Sequence, residues 1–74
     1  MKEIKTLKDK IAEKIKELRN EKGINQHDLA AALKIDRSTI AKYETGVAVP
    51  SVYILVALTE FFDVTADCIL GLDE

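Results

Sequence analysis

Residues 25–46 read Asn25-Gln26-His27-Asp28-Leu29-Ala30-Ala31-Ala32-Leu33-Lys34-Ile35-Asp36-Arg37-Ser38-Thr39-Ile40-Ala41-Lys42-Tyr43-Glu44-Thr45-Gly46. Two short helices fit this stretch, joined by Lys34-Ile35-Asp36. Asn25 is an N-cap type with an acid three residues on, Asp28, and Asp36 stands where a second cap is needed. Leu29, Leu33, Ile35, Ile40 and Tyr43 supply apolar groups where two helices crossing at about 90–120° require them. Ala30 is small at the point of closest approach. On spacing alone the pair is either a helix-turn-helix or a generic helical hairpin.

The flanking segments are helical too. Leu7, Ile11, Ile15 and Leu18 are spaced 4, 4 and 3 residues apart, one face of a first helix that runs to about Lys22. Thr6 with Asp9 forms a capping box for it. Ile4 also fits the stripe and would allow a start as early as Glu3. A fourth helix follows Pro50-Ser51 and runs to about Phe62. Thr65 caps a fifth over Ala66–Leu70. Gly23, Gly46 and Gly71 each close a helical segment, as C-terminal cap residues do. No segment sustains a strand-like alternation. The expectation is an all-α domain of five helices with connections of two to five residues.

The 74 residues make one domain at most, with a single modest core. One Cys excludes an internal disulfide and suits a reducing, cytoplasmic compartment. One Cys and one His cannot supply the four ligands of a structural zinc, so no metal is expected. Apolar runs fall far short of the ~20 residues of a membrane span. The charged N-terminus has no apolar signal core. The net charge of −2 conceals a gradient. Residues 1–25 carry eight Lys/Arg and five Asp/Glu, residues 26–50 three of each, and residues 51–74 five acids and no base. A weakly acidic total does not exclude nucleic acid, because the local patch sets the field near a phosphate. There is no nucleophile–base pair near a Gly-rich turn, so an enzyme is the weakest reading.

The order of motifs carries a resemblance. Leu18-Arg19-Asn20-Glu21-Lys22-Gly23-Ile24 leads into Asn25-Gln26-His27-Asp28-Leu29-Ala30. Ile35 to Gly46 and Pro50-Ser51 follow, and then Phe61-Phe62-Asp63-Val64-Thr65, Asp67 and Ile69-Leu70-Gly71. Over about residues 8–72 the chain resembles the phage-repressor-like helix-turn-helix family, the Cro/cI or XRE type. The resemblance implies a single lambda-repressor-like domain over residues 1–74, acting as a sequence-specific repressor on a palindromic operator in double-stranded DNA. It implies no cofactor and no small-molecule ligand. Helix 3 would be the recognition helix, with Arg37, Ser38, Thr39 and Lys42 at base edges. Arg37 can bond bidentately to guanine, and Ser38 can pair with several bases. Gln26, His27, Tyr43 and Ser51 would meet phosphates, Gln26 also bracing the recognition helix. For Tyr43 a core position is the alternative, and for His27 an exposed residue without a partner. Arg19 and Glu44 match a salt bridge that ties helix 1 to the end of helix 3; independent surface charges are the alternative.

The chain also departs from the family. Lys34 stands where the turn usually has Gly, at a cost of about 1 kcal/mol if its φ is positive. Val47, Ala48 and Val49 replace a loop that is often basic. Tyr53, Ile54 and Ala57 are apolar where helix 4 is often polar, so either the core is greasier or this face meets a partner. One recognition helix reads few base pairs, so a homodimer is expected. Tyr53, Ala57, Ile69 and Leu72 are its candidate contacts, with Leu70 inward. The competing function is a helix-turn-helix antitoxin or protein-interaction module with weak DNA binding.

Overall fold

A computed structural model describes residues 6–72. It contains five α-helices and, among these residues, no strand: α1 Leu7–Lys22, α2 Gln26–Leu33, α3 Arg37–Thr45, α4 Val52–Phe62 and α5 Ala66–Leu70. Local side-chain chemistry sets four of the five starts. Thr6 and Asp9 exchange hydrogen bonds with each other's backbone, as do Asn25 and Asp28. Ser51 Oγ accepts from Ile54 N–H and Thr65 Oγ1 from Cys68 N–H. Thr6 has an extended backbone, so α1 starts at Leu7; the earlier start at Glu3 lies outside the described residues. Asp36 is the N-cap of α3 by position and by its extended backbone, as expected, although its side chain makes no cap bond.

All five helices end on a residue in the left-handed region. Three of these are glycines; the other two are Lys34 (φ 59°) and Asp63 (φ 55°). A side chain in this region is strained by about 1–2 kcal/mol. At Lys34 the strain is offset by two bonds that close the turn, Lys34 N–H to Ala31 C=O and Ile35 N–H to Ala30 C=O.

The core is one cluster: Ile11 and Ile15 from α1, Leu29 and Ala30 from α2, Ile40 and Tyr43 from α3, Leu58 from α4 and Ile69 from α5. α1 packs on α3 and α5, α2 on α3 and α4, and α4 on α5. Leu18, Leu33, Ile35, Ile54 and Leu70 pack around it, half-buried. Leu7 is largely exposed, so the buried stripe of α1 begins at Ile11. Ile69 has no exposed surface, which corrects its assignment to a dimer contact. With five residues α5 can turn only one narrow face to the core, and Ile69 occupies its centre. Leu72, beyond the helix end, is left 64% exposed. On α4, Ile54 turns to the core while Tyr53 is 87% exposed, so the apolar surplus of this helix is divided between the two faces.

Candidate nucleic-acid interface

The α2–turn–α3 unit positions the polar side chains of interest. A left-handed residue followed by an extended one, Asp36, reverses the chain within three residues. Along α3, Arg37, Ser38 and Lys42 are exposed, Ser38 and Lys42 one turn apart, while Thr39 is half-buried. Ile40 and Tyr43 face the core from the other side of the helix. His27 and Ser51 are exposed; the Ser51 oxygen accepts the cap bond and its hydroxyl hydrogen remains available to an acceptor. Tyr43 is only 6% exposed, a core residue with little surface left for a phosphate, and burial raises its phenol above the ordinary tyrosine range. Val47 and Val49 project into solvent from the α3–α4 connection, with Ala48 against the core.

Beneath this surface lies a chain of polar contacts. Arg19 Nε donates to Glu44 Oε2 at 2.6 Å and Arg19 Nη2 to Glu44 Oε1 at 3.0 Å, a two-point ion pair with side chains 12% and 3% exposed. Arg19 Nη1 donates to the Ile24 carbonyl at 2.9 Å, just past the C-cap of α1. The hydrogen bond to Glu44, with its charge, raises the Arg19 pKa against the opposing effect of burial. Gln26 Nε2 donates to Glu44 Oε1 at 3.2 Å, and Gln26 Oε1 accepts from Arg37 Nη1 at 3.2 Å. Four side chains thus join the end of α1, the start of α2 and both ends of α3. Gln26 meets Arg37 and Glu44, whereas Ser38, Thr39, Lys42, His27 and Ser51 take no part.

Two features of this region lie outside the sequence reading. The Gln26–Glu44 bond spans 18 residues, and nothing in the first turn of α2 announces its partner. The exposed apolar set on α4 also includes Val52 and Val56, a pair at helical spacing that falls outside the core stripe. Among the described residues no group of His, Cys, Asp and Glu is placed to hold a metal ion, and no helix is long and apolar enough to cross a membrane.

The comparisons agree with this architecture. The family model described as helix-turn-helix matches residues 15–67. The HTH-type transcriptional activator BcrR of Enterococcus faecalis and the HTH-type transcriptional regulator AnsR of Bacillus subtilis are each 37% identical over 62 residues, 84% of this chain. The chain spans 30% and 53% of the length of these two relatives. Among solved structures, the restriction-modification controller protein C.AhdI from Aeromonas hydrophila superposes with a TM-score of 0.77 at 27% identity, covering 84% of this chain and 94% of that one. The clp gene regulator ClgR from C. glutamicum shares the fold, with a TM-score of 0.80 at 18% identity and coverage of 92% and 88%. Matched over more than half its length, with both helices of the motif and the turn between them in place, the chain belongs to the Cro/cI-type helix-turn-helix family of DNA-binding transcriptional regulators.

Proposed function

We propose that the protein is a sequence-specific repressor that binds a palindromic operator as a homodimer, with α3 in the major groove. The observation that carries this reading is the exposed row Arg37, Ser38 and Lys42 on a helix tied down at both ends. Arg37 reads a guanine, Ser38 and Lys42 the adjoining bases, and Thr39 contributes from the edge of the row. Gln26, His27 and Ser51 meet the flanking phosphates. Occupying a promoter is enough to repress it, so this function requires nothing beyond binding.

The second copy docks on the outer face of α4. Val52, Tyr53 and Val56 present roughly 400 Å² per chain; two copies with Leu72 and Ala57 added approach the ~1,000 Å² that a specific interface needs. Selection of bound DNA from a random pool tests the whole reading. A palindrome with half-sites about one helical turn apart supports it, and Arg37→Ala should flatten one base position per half-site. An unchanged motif in Arg37→Ala removes α3 as the reader. Sedimentation of the wild type against Tyr53→Glu and Leu72→Glu tests the dimer; a wild type that stays monomeric at high micromolar concentration removes it.

One observation favours a second reading, an antitoxin or protein-interaction module. Val47 and Val49 expose apolar surface where a DNA-binding loop benefits from cations. A gel shift at low salt separates the two, since a module working only through protein contacts leaves DNA unshifted.

A further inference from the structure

The α3–α4 connection continues the exposed row of α3 but lacks the groups that hold a phosphate. Residues 45–49 include no Lys, Arg or His. Their backbone donors are committed as well. The N–H groups of Val47 and Ala48 both donate to the Lys42 carbonyl, at 3.0 and 3.2 Å, and that of Gly46 donates to the Tyr43 carbonyl. The Thr45 hydroxyl turns back on the helix and donates to the Ala41 and Lys42 carbonyls, at 3.0 and 3.3 Å. Thr45 is exposed, so with its hydroxyl engaged it offers a ligand its methyl. Val47 adds an isopropyl group that is 68% exposed. Ser38, Lys42 and Thr45 stand at i, i+4 and i+7, on one face of α3, and all three are exposed. At 1.5 Å per residue Thr45 lies about 10.5 Å beyond Ser38 along the axis, or about three base-pair steps of 3.4 Å. The bonds to the Lys42 carbonyl fix Val47 against the last turn of the helix, so this apolar end is held as firmly as α3 itself. The major groove presents one apolar group to such a surface, the C5-methyl of thymine.

We propose that Thr45 and Val47 are specificity-determining residues: together they form an apolar end to the reading surface and select a thymine by its C5-methyl, about one base pair beyond the base met by Lys42 and at the end of the half-site remote from Arg37. The inference rests on the reading of α3 as the helix in the major groove. It gives the apolar connection a use on DNA, where a module working through protein contacts would reserve the same surface for its partner. It also differs from a phosphate contact in what it predicts. A lost phosphate contact weakens every operator sequence alike and lowers the salt dependence, whereas a lost methyl contact acts at one base and leaves the salt dependence as it was.

The experiment uses the full chain and operator duplexes selected from a random pool, with each thymine replaced in turn by deoxyuridine, which lacks only the C5-methyl. The duplexes are titrated with the wild type, Val47→Ala, Thr45→Ser and Arg37→Ala. Both shortened side chains are exposed and serine keeps the hydroxyl, so the fold is retained, as circular dichroism checks. One deoxyuridine per half-site should weaken the wild type by about 2- to 4-fold for each half-site, the worth of about one buried methyl. Val47→Ala and Thr45→Ser should bind the thymine duplex less well and lose most of the difference between thymine and deoxyuridine at that position, with an unchanged salt slope. A uracil penalty that survives in both variants, or that is absent at every thymine in the wild type, overturns the proposal. So does a selected half-site with no thymine at that end. If Arg37→Ala still flattens a base in those cases, the apolar end alone is wrong and α3 remains the reader. If Arg37→Ala changes no base preference, or if the wild type leaves DNA unshifted at low salt, the groove reading fails and the thymine contact falls with it.

Discussion

Removing the Glu44 carboxylate should cost far more than an ordinary surface charge. Glu44 accepts three hydrogen bonds, two from Arg19 and one from Gln26, and its side chain is 3% exposed. In Glu44→Ala the Arg19 guanidinium, 12% exposed, keeps only the Ile24 carbonyl as a partner. Stranding one member of a buried pair costs about 3–5 kcal/mol, whereas an exposed pair is worth below about 1 kcal/mol. A chain of 74 residues has a total stability of about 4–11 kcal/mol, so the loss removes at least about a quarter of it. Urea unfolding followed by circular dichroism gives the difference directly. A double variant, Arg19→Met with Glu44→Leu, separates the loss of an interaction from the stranding of a charge. It removes both ions and fills their volume with apolar atoms, so it should recover most of what Glu44→Ala loses. A loss below about 1 kcal/mol in Glu44→Ala, or a double variant no more stable than the single, would refute the argument from burial.

Lys34→Gly should stabilise by about 0.5–1 kcal/mol, the relief of left-handed strain being partly offset by the freer unfolded chain, and Asp63→Gly should behave alike; chemical denaturation measures both. Tyr43, held neutral by burial, should make stability fall as pH rises past about 10, where the unfolded chain ionises first. Its contribution is fully present below that pH and is lost as pH climbs through the raised folded value. Tyr43→Phe should remove this part of the alkaline loss in urea midpoints taken between pH 8 and 11. Val47→Lys should tighten DNA binding and steepen its salt dependence by about one unit on a log–log plot, and an unchanged slope would show that the α3–α4 loop does not touch DNA.

The helices were legible because their ends are written in side chains that act within three residues. Thr6, Asn25, Ser51 and Thr65 each reach a backbone N–H three positions on. Asp63 escaped notice as a left-handed terminus because the sequence around it, Phe62-Asp63-Val64, lacks the glycine that marks the other helix ends beyond Lys34. Ile69 was misplaced for a different reason. Apolar composition shows that a short helix has too many greasy residues, but only the packing of α5 on α1 and α4 selects which of them turns inward. The Arg19–Glu44 contact spans 25 residues, and only the family resemblance points to it. Gln26 could be placed at the start of α2 from sequence, while its place between Glu44 and Arg37 depends on how three helices meet.

The tie-down of α3 at both ends also bears on the thermodynamics of recognition. Glu44 near its C-terminus is fixed to α1, and Arg37 at its N-terminus is fixed to α2. A helix anchored in this way does not have to order itself on the duplex, so little conformational entropy remains to be lost when a complex forms. The heat-capacity change of association should then match the apolar surface covered at the interface, without the excess that accompanies coupled folding. Encounter with DNA should be limited by diffusion and orientation, and its rate should depend on ionic strength more than on temperature.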